Sequence, residues 1–226
     1  MNRLDRIESV IDEPIHGRKF YTQESLEALK KRLCEIESNL RIDNFNQIDK
    51  IKAISDYVKC NIAYRKDYFD YSNGKCDSFN TDYLVYRTAY GALVLGQAMC
   101  AGYAEAARVL LCYYNTCSYT LLSKLPLERK RLLHYVVFTC TDNDRDNFYV
   151  LDPESEQYCV RKKMNYEDYK ENSIYLLPTK KFTDDVIGTD GAGMLAAEYM
   201  KDESIPRVVG TKNIKILVNQ LRKSAR

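Results

Sequence analysis

Cys100, His134 and Asp152 are the residues whose types and order could support nucleophilic chemistry. Cys100 stands at the head of residues 99–114, a stretch dense in Ala and Leu and apolar over most of its circumference, which predicts a central buried helix. Unpaired N–H groups and the dipole at a helix start favour an anion, so the position suits a thiolate nucleophile. His134 opens the β-branched and aromatic run 133–139, and Asp152 follows the run 147–151, with a predicted turn over 141–146 between them. The midpoint between His134 and Asp152 is residue 143, inside that turn, so the two are expected to be cross-strand neighbours in a hairpin. A carboxylate bonded to one imidazole nitrogen fixes the tautomer and leaves the other nitrogen to accept a thiol proton. Taken singly, each residue has an ordinary alternative: a small core cysteine, a structural strand histidine, and an Asp that initiates a turn before Pro153.

Several elements must position these groups. Leu26, Leu29, Leu33, Ile36 and Leu40 recur at steps of three and four, predicting an amphipathic helix over 22–40. Ile48, Ile51, Ile54, Tyr57 and Val58 predict a second helix that starts after the polar residues 43–46 and ends near Cys60. Residues 64–86, rich in Asp, Asn, Ser and Tyr around Asn73-Gly74, read as a long irregular connection. Beyond the hairpin come a strand-like run at 173–177 before Pro178, a Gly-rich patch at 188–193, a helix over 213–223 and a basic tail. The expected fold class is α+β, with the cysteine helix packed on an antiparallel sheet. The expected division is an N-terminal helical extension (1–45), a catalytic core (46–160) and a C-terminal extension (161–226) that completes or braces it.

The 226 residues carry 34 Lys+Arg against 32 Asp+Glu, a formal charge of +2, which gives no electrostatic case for nucleic acid or a membrane surface. Hydrophobic residues at 45% and charged residues at 29% describe a chain that buries a core. The chain is too long to need its eight cysteines as a disulfide scaffold, and the first residues include acidic groups where a secretory signal needs an apolar run. The expected compartment is therefore the cytosol, with export by an unconventional route left open. The longest apolar stretch, 89–104, is interrupted by Gln97 and followed by Glu105 and Arg108, so it reads as core and not as a membrane span.

No cofactor and no metal are expected. Cys112 and Cys117 have no second Cys/His pair at metal spacing, and they read as packing residues. The Gly188–Gly193 patch lacks the Lys and Ser/Thr of a phosphate loop. His16 could compete as a base, but it has no carboxylate at a definable strand position and reads as a surface-loop residue.

The segments Gly96-Gln97-Ala98-Met99-Cys100-Ala101-Gly102-Tyr103-Ala104, His134-Tyr135-Val136-Val137 and Phe148-Tyr149-Val150-Leu151-Asp152-Pro153 together resemble the transglutaminase-like superfamily of thiol enzymes. Asn61-Ile62-Ala63-Tyr64 and Ala89-Tyr90-Gly91-Ala92-Leu93 match its "N-I-x-Y" and "A-Y-x-x-L" stretches, in the order that the family has them. The resemblance covers about residues 46–155. It implies a papain-like α+β fold in which Cys100 attacks an amide carbonyl to form a thioester, His134 serves as base and then acid, and Asp152 orients His134. It also implies the Cys100 backbone N–H as one oxyanion donor. Gln97 can supply a second from its side-chain amide, or it is a loop residue bonded to backbone. Gly102 would allow close backbone packing, and Tyr103 would fill the core.

Two departures bear on substrate. Many relatives carry Trp soon after the histidine and before the Asp-bearing strand, whereas this chain has no Trp and offers Tyr135 and Phe148. Residue 101 is Ala where Gln is frequent. The expectation is thus a thiol-dependent acyl-transfer enzyme acting on peptide or glutamine/isopeptide amides, as cysteine protease, deamidase or transglutaminase. The alternative is an inactive transglutaminase-like binding or scaffolding module, and a third reading is an exported effector. The expected partner is a protein or peptide substrate, with the oligomeric state left open.

Overall fold

The computed structural model describes residues 2–11, 21–65, 85–116, 118–127, 130–141, 144–154, 157 and 177–178. Three helices come first: α1 (Arg3–Ile11), α2 (Gln23–Leu40) and α3 (Gln47–Asn61). Helix α1 was not foreseen, and α2 and α3 start at caps that the sequence reading did not name. Thr22 Oγ1 accepts from the Ser25 backbone N–H at 3.1 Å and caps α2, and Asn46 Oδ1 accepts from Asp49 N–H at 2.9 Å and caps α3. Arg41 ends α2 in the left-handed region at φ 49°, its N–H donating to the Glu37 carbonyl. Leu29, Leu33 and Ile36 of α2, and Ile51, Ile54 and Val58 of α3, are buried on the faces their spacing predicted.

Next come β1 (Ala63–Tyr64), the short α4 (Ala89–Leu93), β2 (Gln97–Ala98) and α5 (Cys100–Tyr113). Helix α5 is the apolar helix of the sequence reading, and Ala104, Ala107 and Leu110 along it are buried. Its alanines keep the helix narrow, so that Ile7 of α1, Leu33 of α2 and Ile54 of α3 share one hydrophobic cluster with it. Val137 and Leu151 close the cluster from the sheet side. That sheet runs β3 (Ser118–Leu127), β4 (Lys130–Thr141), β5 (Asp144–Leu151) and β6 (Leu177–Pro178), each pair antiparallel. The chain is therefore mixed helix and sheet.

The structure differs from the sequence reading in several places. Pairing is not antiparallel throughout, because β1 and β2 pair in parallel, Ala63 with Gln97 and Tyr64 with Ala98. Strand β3 was not foreseen: Lys124 and Pro126 break its apolar pattern, and its ten residues are set by pairing with β4. Strands β4 and β5 extend to Thr141 and Asp144, so they consume most of the polar residues expected to form the turn. Of the run at 173–177 only Leu177 is described, within β6. The Gly-rich patch, the 213–223 helix, the basic tail, His16, Cys117 and residues 66–84 of the long connection lie outside the described residues.

Two glycines decide how α4 and α5 sit. Residues 85–87 form a single tight turn whose backbone lies against both helices. A Cβ on Gly91 would collide with the Val85 carbonyl oxygen, and one on Gly102 would collide with the Tyr86 carbonyl oxygen and stand 2.8 Å from the Ala98 Cβ. Tyr103 is fully buried, as expected, with its hydroxyl donating to the Ile62 carbonyl at 2.5 Å. Gln157 Nε2 donates to the Lys59 carbonyl at 2.9 Å, tying the segment after β5 to the end of α3.

Gly102→Ala tests the close approach by its sign. In an unobstructed helix the change would stabilise by about 1 kcal/mol. Here overpacking against rigid backbone should destabilise by about 1–3 kcal/mol, read as a lower urea midpoint. An unchanged or raised midpoint would mean that the 85–87 turn yields.

Alkaline pH should also unfold the protein. Burial, with Glu37 and Asp43 adding to it, pushes the Tyr114 phenol from 10.0 up to about 12. Burial also pushes the Tyr135 phenol up. Because the folded values are raised, this stability is present below about pH 10, where the unfolded phenol is still protonated, and is lost as pH climbs towards 12. Urea midpoints at about pH 8 and about pH 11 should fall between the two, with a smaller fall in Tyr114→Phe.

Candidate active site

Cys100 is the first residue of α5, half-buried and a free thiol. Met99 takes the capping position with extended backbone, φ −91° and ψ 174°, but gives no side-chain cap. The first-turn N–H groups are therefore not covered by the side chain of the capping residue. Met99 is held by its backbone: its N–H donates to the Tyr86 carbonyl at 2.9 Å, and its carbonyl accepts from Tyr103 N–H at 3.0 Å. The start of α5 is thus fixed to the same turn that Gly91 and Gly102 admit.

Strand β2 carries Gln97 to the rim of this helix start. The β1–β2 pair is closed by Ala63 N–H to Gly96 carbonyl at 2.9 Å and Arg65 N–H to Ala98 carbonyl at 2.8 Å. The Arg65 guanidinium then donates to Gln97 Oε1 at 2.8 Å and lies 4.2 Å from the Tyr86 ring centroid. Gln97 is exposed, and its amide oxygen is taken by a side chain and not by backbone. Engaging the oxygen leaves the amide N–H groups as the donating end.

His134 lies on β4, in register with Ser123 of β3. Asp152 follows β5 directly and is 1% exposed, and it has an interaction partner, as a buried carboxylate requires. The register between their strands is not the one expected. Val137 pairs with Leu151, Phe138 with Val150 and Thr139 with Tyr149, while Thr141 pairs with Asp144 across an irregularity between Thr139 and Thr141. Carried one step further, this register sets Asp152 level with Val136, two residues along β4 from His134. The relation is diagonal instead of directly opposed, and between the Thr139–Tyr149 and Thr141–Asp144 pairs β4 advances two residues while β5 advances five.

Among the described side chains of β4, Tyr135 is the one whose ionisation feels Cys100. It is buried, and its hydroxyl accepts a hydrogen bond from the Arg87 guanidinium at 3.1 Å. The same guanidinium lies 5.7 Å from its ring centroid. Burial raises this phenol most, Arg87 beside it pulls it back down, and Cys100 and Glu105 push it up further. Sequence reasoning named Tyr135 only as a residue standing where relatives have Trp, and it missed Arg87, which sits 48 residues from the tyrosine it contacts.

Further along α5, Glu105 and Arg108 form an ion pair at 2.5 Å with side chains 16% and 8% exposed. Thr120 of β3 donates to Glu105 at 2.8 Å, and Ser118 donates to the Arg108 carbonyl at 3.3 Å. This polar knot joins α5 to β3. Among the described residues no group of three or more His, Cys, Asp or Glu is arranged to hold a metal, and no helix is long and apolar enough to cross a membrane. Cys112 is half-buried against the core.

No family profile matches the chain, and no curated protein does. Among solved structures, one described as the crystal structure of a TGase aligns with a TM-score of 0.48 at 16% identity, over 60% of this chain. The chain matches 34% of that structure's length, about a third of it.

The ion pair yields a stability prediction. Glu105→Ala leaves Arg108 buried without its carboxylate and Thr120 without its acceptor, so unfolding free energy should drop by about 3–5 kcal/mol. Equilibrium urea unfolding measures it. A loss below about 1 kcal/mol, the range of a surface pair, would mean the pair is solvated.

Proposed function

We propose that the chain is a thiol-dependent acyl-transfer enzyme with a transglutaminase-like, papain-like core, acting on peptide or glutamine/isopeptide amides. The observation that carries this reading is the setting of Cys100. A free thiol stands at a helix start that the capping residue leaves uncovered, on a helix whose core is shared with the strands that bear His134 and precede Asp152. In this reading His134 takes the thiol proton, and the Cys100 sulfur bonds to the amide carbonyl carbon. The tetrahedral intermediate then collapses to a thioester as His134 returns the proton to the leaving amine. Asp152, diagonal to His134, holds the imidazole. The Cys100 N–H and the Gln97 amide donate to the oxyanion. Water or an amine releases the acyl group, giving hydrolysis, deamidation or transamidation. The substrate is a protein or peptide, and the working compartment is the cytosol, where thiols stay reduced.

Limiting iodoacetamide, with each of the eight cysteines located by mass spectrometry, tests the reading. At about pH 6, Cys100 should be alkylated at least tenfold faster than the exposed Cys34 and Cys60, and His134→Ala should erase that advantage. Cys100→Ala should abolish turnover of any substrate found. Cys100 reacting no faster than Cys34 and Cys60, or turnover that survives Cys100→Ala, would overturn the thiol mechanism in favour of a binding module.

A further inference from the structure

Gln157 joins three parts of the candidate site through one side-chain amide. Its Nε2 donates to the Lys59 carbonyl at 2.9 Å and also to the carbonyl of Ile62, the residue that caps the end of α3 and leads into β1. Its Oε1 accepts from the Tyr103 hydroxyl at 2.7 Å, and that single proton is shared with the Ile62 carbonyl at 2.5 Å. Both ends of the amide are therefore engaged, one by α3 and the other by α5. The partners are deep in the protein, with Tyr103 fully buried and Ile62 2% exposed. Hydrogen bonds there are costly to leave unmade, because water cannot replace them, so the amide is held in one orientation.

Both anchors lie close along the chain to the reacting groups. Tyr103 follows Cys100 by three residues on α5, about 4.5 Å along the helix axis. Gln157 follows Asp152 by five, and Pro153 between them is buried, its ring fixing φ where the chain leaves β5. The β4–β5 ladder does not reach this far: Val137 pairs with Leu151, and Asp152 lies beyond that pair. Ladder ends are where strands open most easily.

We propose that Gln157 is a positioning residue for acyl transfer. By clamping to Tyr103 and to the end of α3, it holds the Asp152 carboxylate in place relative to the head of α5, and through that carboxylate it holds the imidazole of His134. The carried register sets Asp152 level with Val136, on the same side of the sheet as His134, so the two can meet. The proposal rests on the acyl-transfer reading above and adds to it a residue whose partners lie 54 and 95 positions away.

Gln157→Met keeps the length of the side chain and removes every amide bond. Parent and variant, as full chains, are alkylated with iodoacetamide at about pH 6, where an unassisted thiol is almost wholly protonated, and at about pH 9, where it is mostly thiolate. In Gln157→Met the Cys100 rate at the lower pH should fall about tenfold, while the rate at the higher pH stays within about twofold of the parent. Asp152→Asn should cause a fall at least as large, and the double variant should fall no further than Asp152→Asn alone, since both changes act through one carboxylate. A merely structural Gln157 would lower the urea midpoint without moving the ratio of the two rates. An unchanged ratio in Gln157→Met, or losses that multiply in the double variant, overturns the positioning role. If Gln157→Met does not fold, Tyr103→Phe decides, because it keeps the buried ring and releases Gln157 Oε1: the ratio should fall, and an unchanged ratio overturns the proposal. A parent whose Cys100 has no advantage at the lower pH, or an Asp152→Asn variant that keeps it, overturns the acyl-transfer reading itself, and the positioning role falls with it.

Discussion

The 85–87 turn is wedged between two helices, and the surroundings of Cys100 depend on that wedge. Three separate contacts leave it. The Tyr86 carbonyl accepts the Met99 N–H and so sets where α5 begins. The Tyr86 ring carries the Arg65 guanidinium, which in turn holds Gln97. Arg87 reaches Tyr135 on β4. Thr88 closes the turn onto α4, with its hydroxyl donating to the Val85 carbonyl at 2.6 Å while accepting Gly91 N–H at 3.1 Å. Gly91 and Gly102 are what make room, because a methyl group at either would strike a carbonyl oxygen that is already committed to a hydrogen bond.

The sheet is held to α5 by a different kind of interaction. Glu105 and Arg108 are charges placed in a mostly apolar interface, which costs desolvation energy and is tolerable because they are paired with each other and the carboxylate is further bonded. Thr120 on β3 donates to the Glu105 carboxylate, and Ser118, also on β3, donates to the Arg108 main-chain carbonyl and so ties the helix backbone to the strand. Apolar contacts such as Val137 and Leu151 against α5 would allow β3 and β4 to slide, since burial is non-directional. The hydrogen-bonded charge pair fixes the position along the helix. That matters at Cys100, about one helical turn away from Glu105, where a displacement of about 1 Å is enough to spoil a reacting geometry.

The parts of this architecture that were legible in the sequence are those governed by short-range physics. Helices α2 and α3 announce themselves through three- and four-residue spacing, while their caps Thr22 and Asn46, whose bonds span three residues, went unread. The apolar density of α5 and the position of Cys100 at its start were readable for the same reason. What was not legible depends on distant partners. β3 has little apolar alternation and exists as the partner of β4. The parallel β1–β2 pair joins residues more than thirty positions apart and has only two residues per strand. Between the Thr139–Tyr149 and Thr141–Asp144 pairs β5 takes up three more residues than β4, and nothing in a polar turn sequence specifies where such residues will be absorbed. Arg87 gave no signal at all, since its role is set by a tyrosine 48 residues away.

Arg65 and Arg87 are oriented by aromatic rings, whereas Arg108 is oriented by a carboxylate. Glu105 neutralises Arg108, so that pair contributes little net field outside itself. Arg65 and Arg87 each lie over an aromatic ring, at 4.2 Å and 5.7 Å from the centroids of Tyr86 and Tyr135. A ring face attracts a guanidinium through its quadrupole and orients it without cancelling its charge. Each guanidinium is thereby oriented by a ring face, Arg65 by Tyr86 and Arg87 by Tyr135. Tyrosine suits this arrangement better than phenylalanine, because the phenolic oxygen of Tyr135 accepts from Arg87 and passes its polarisation on through the O–H.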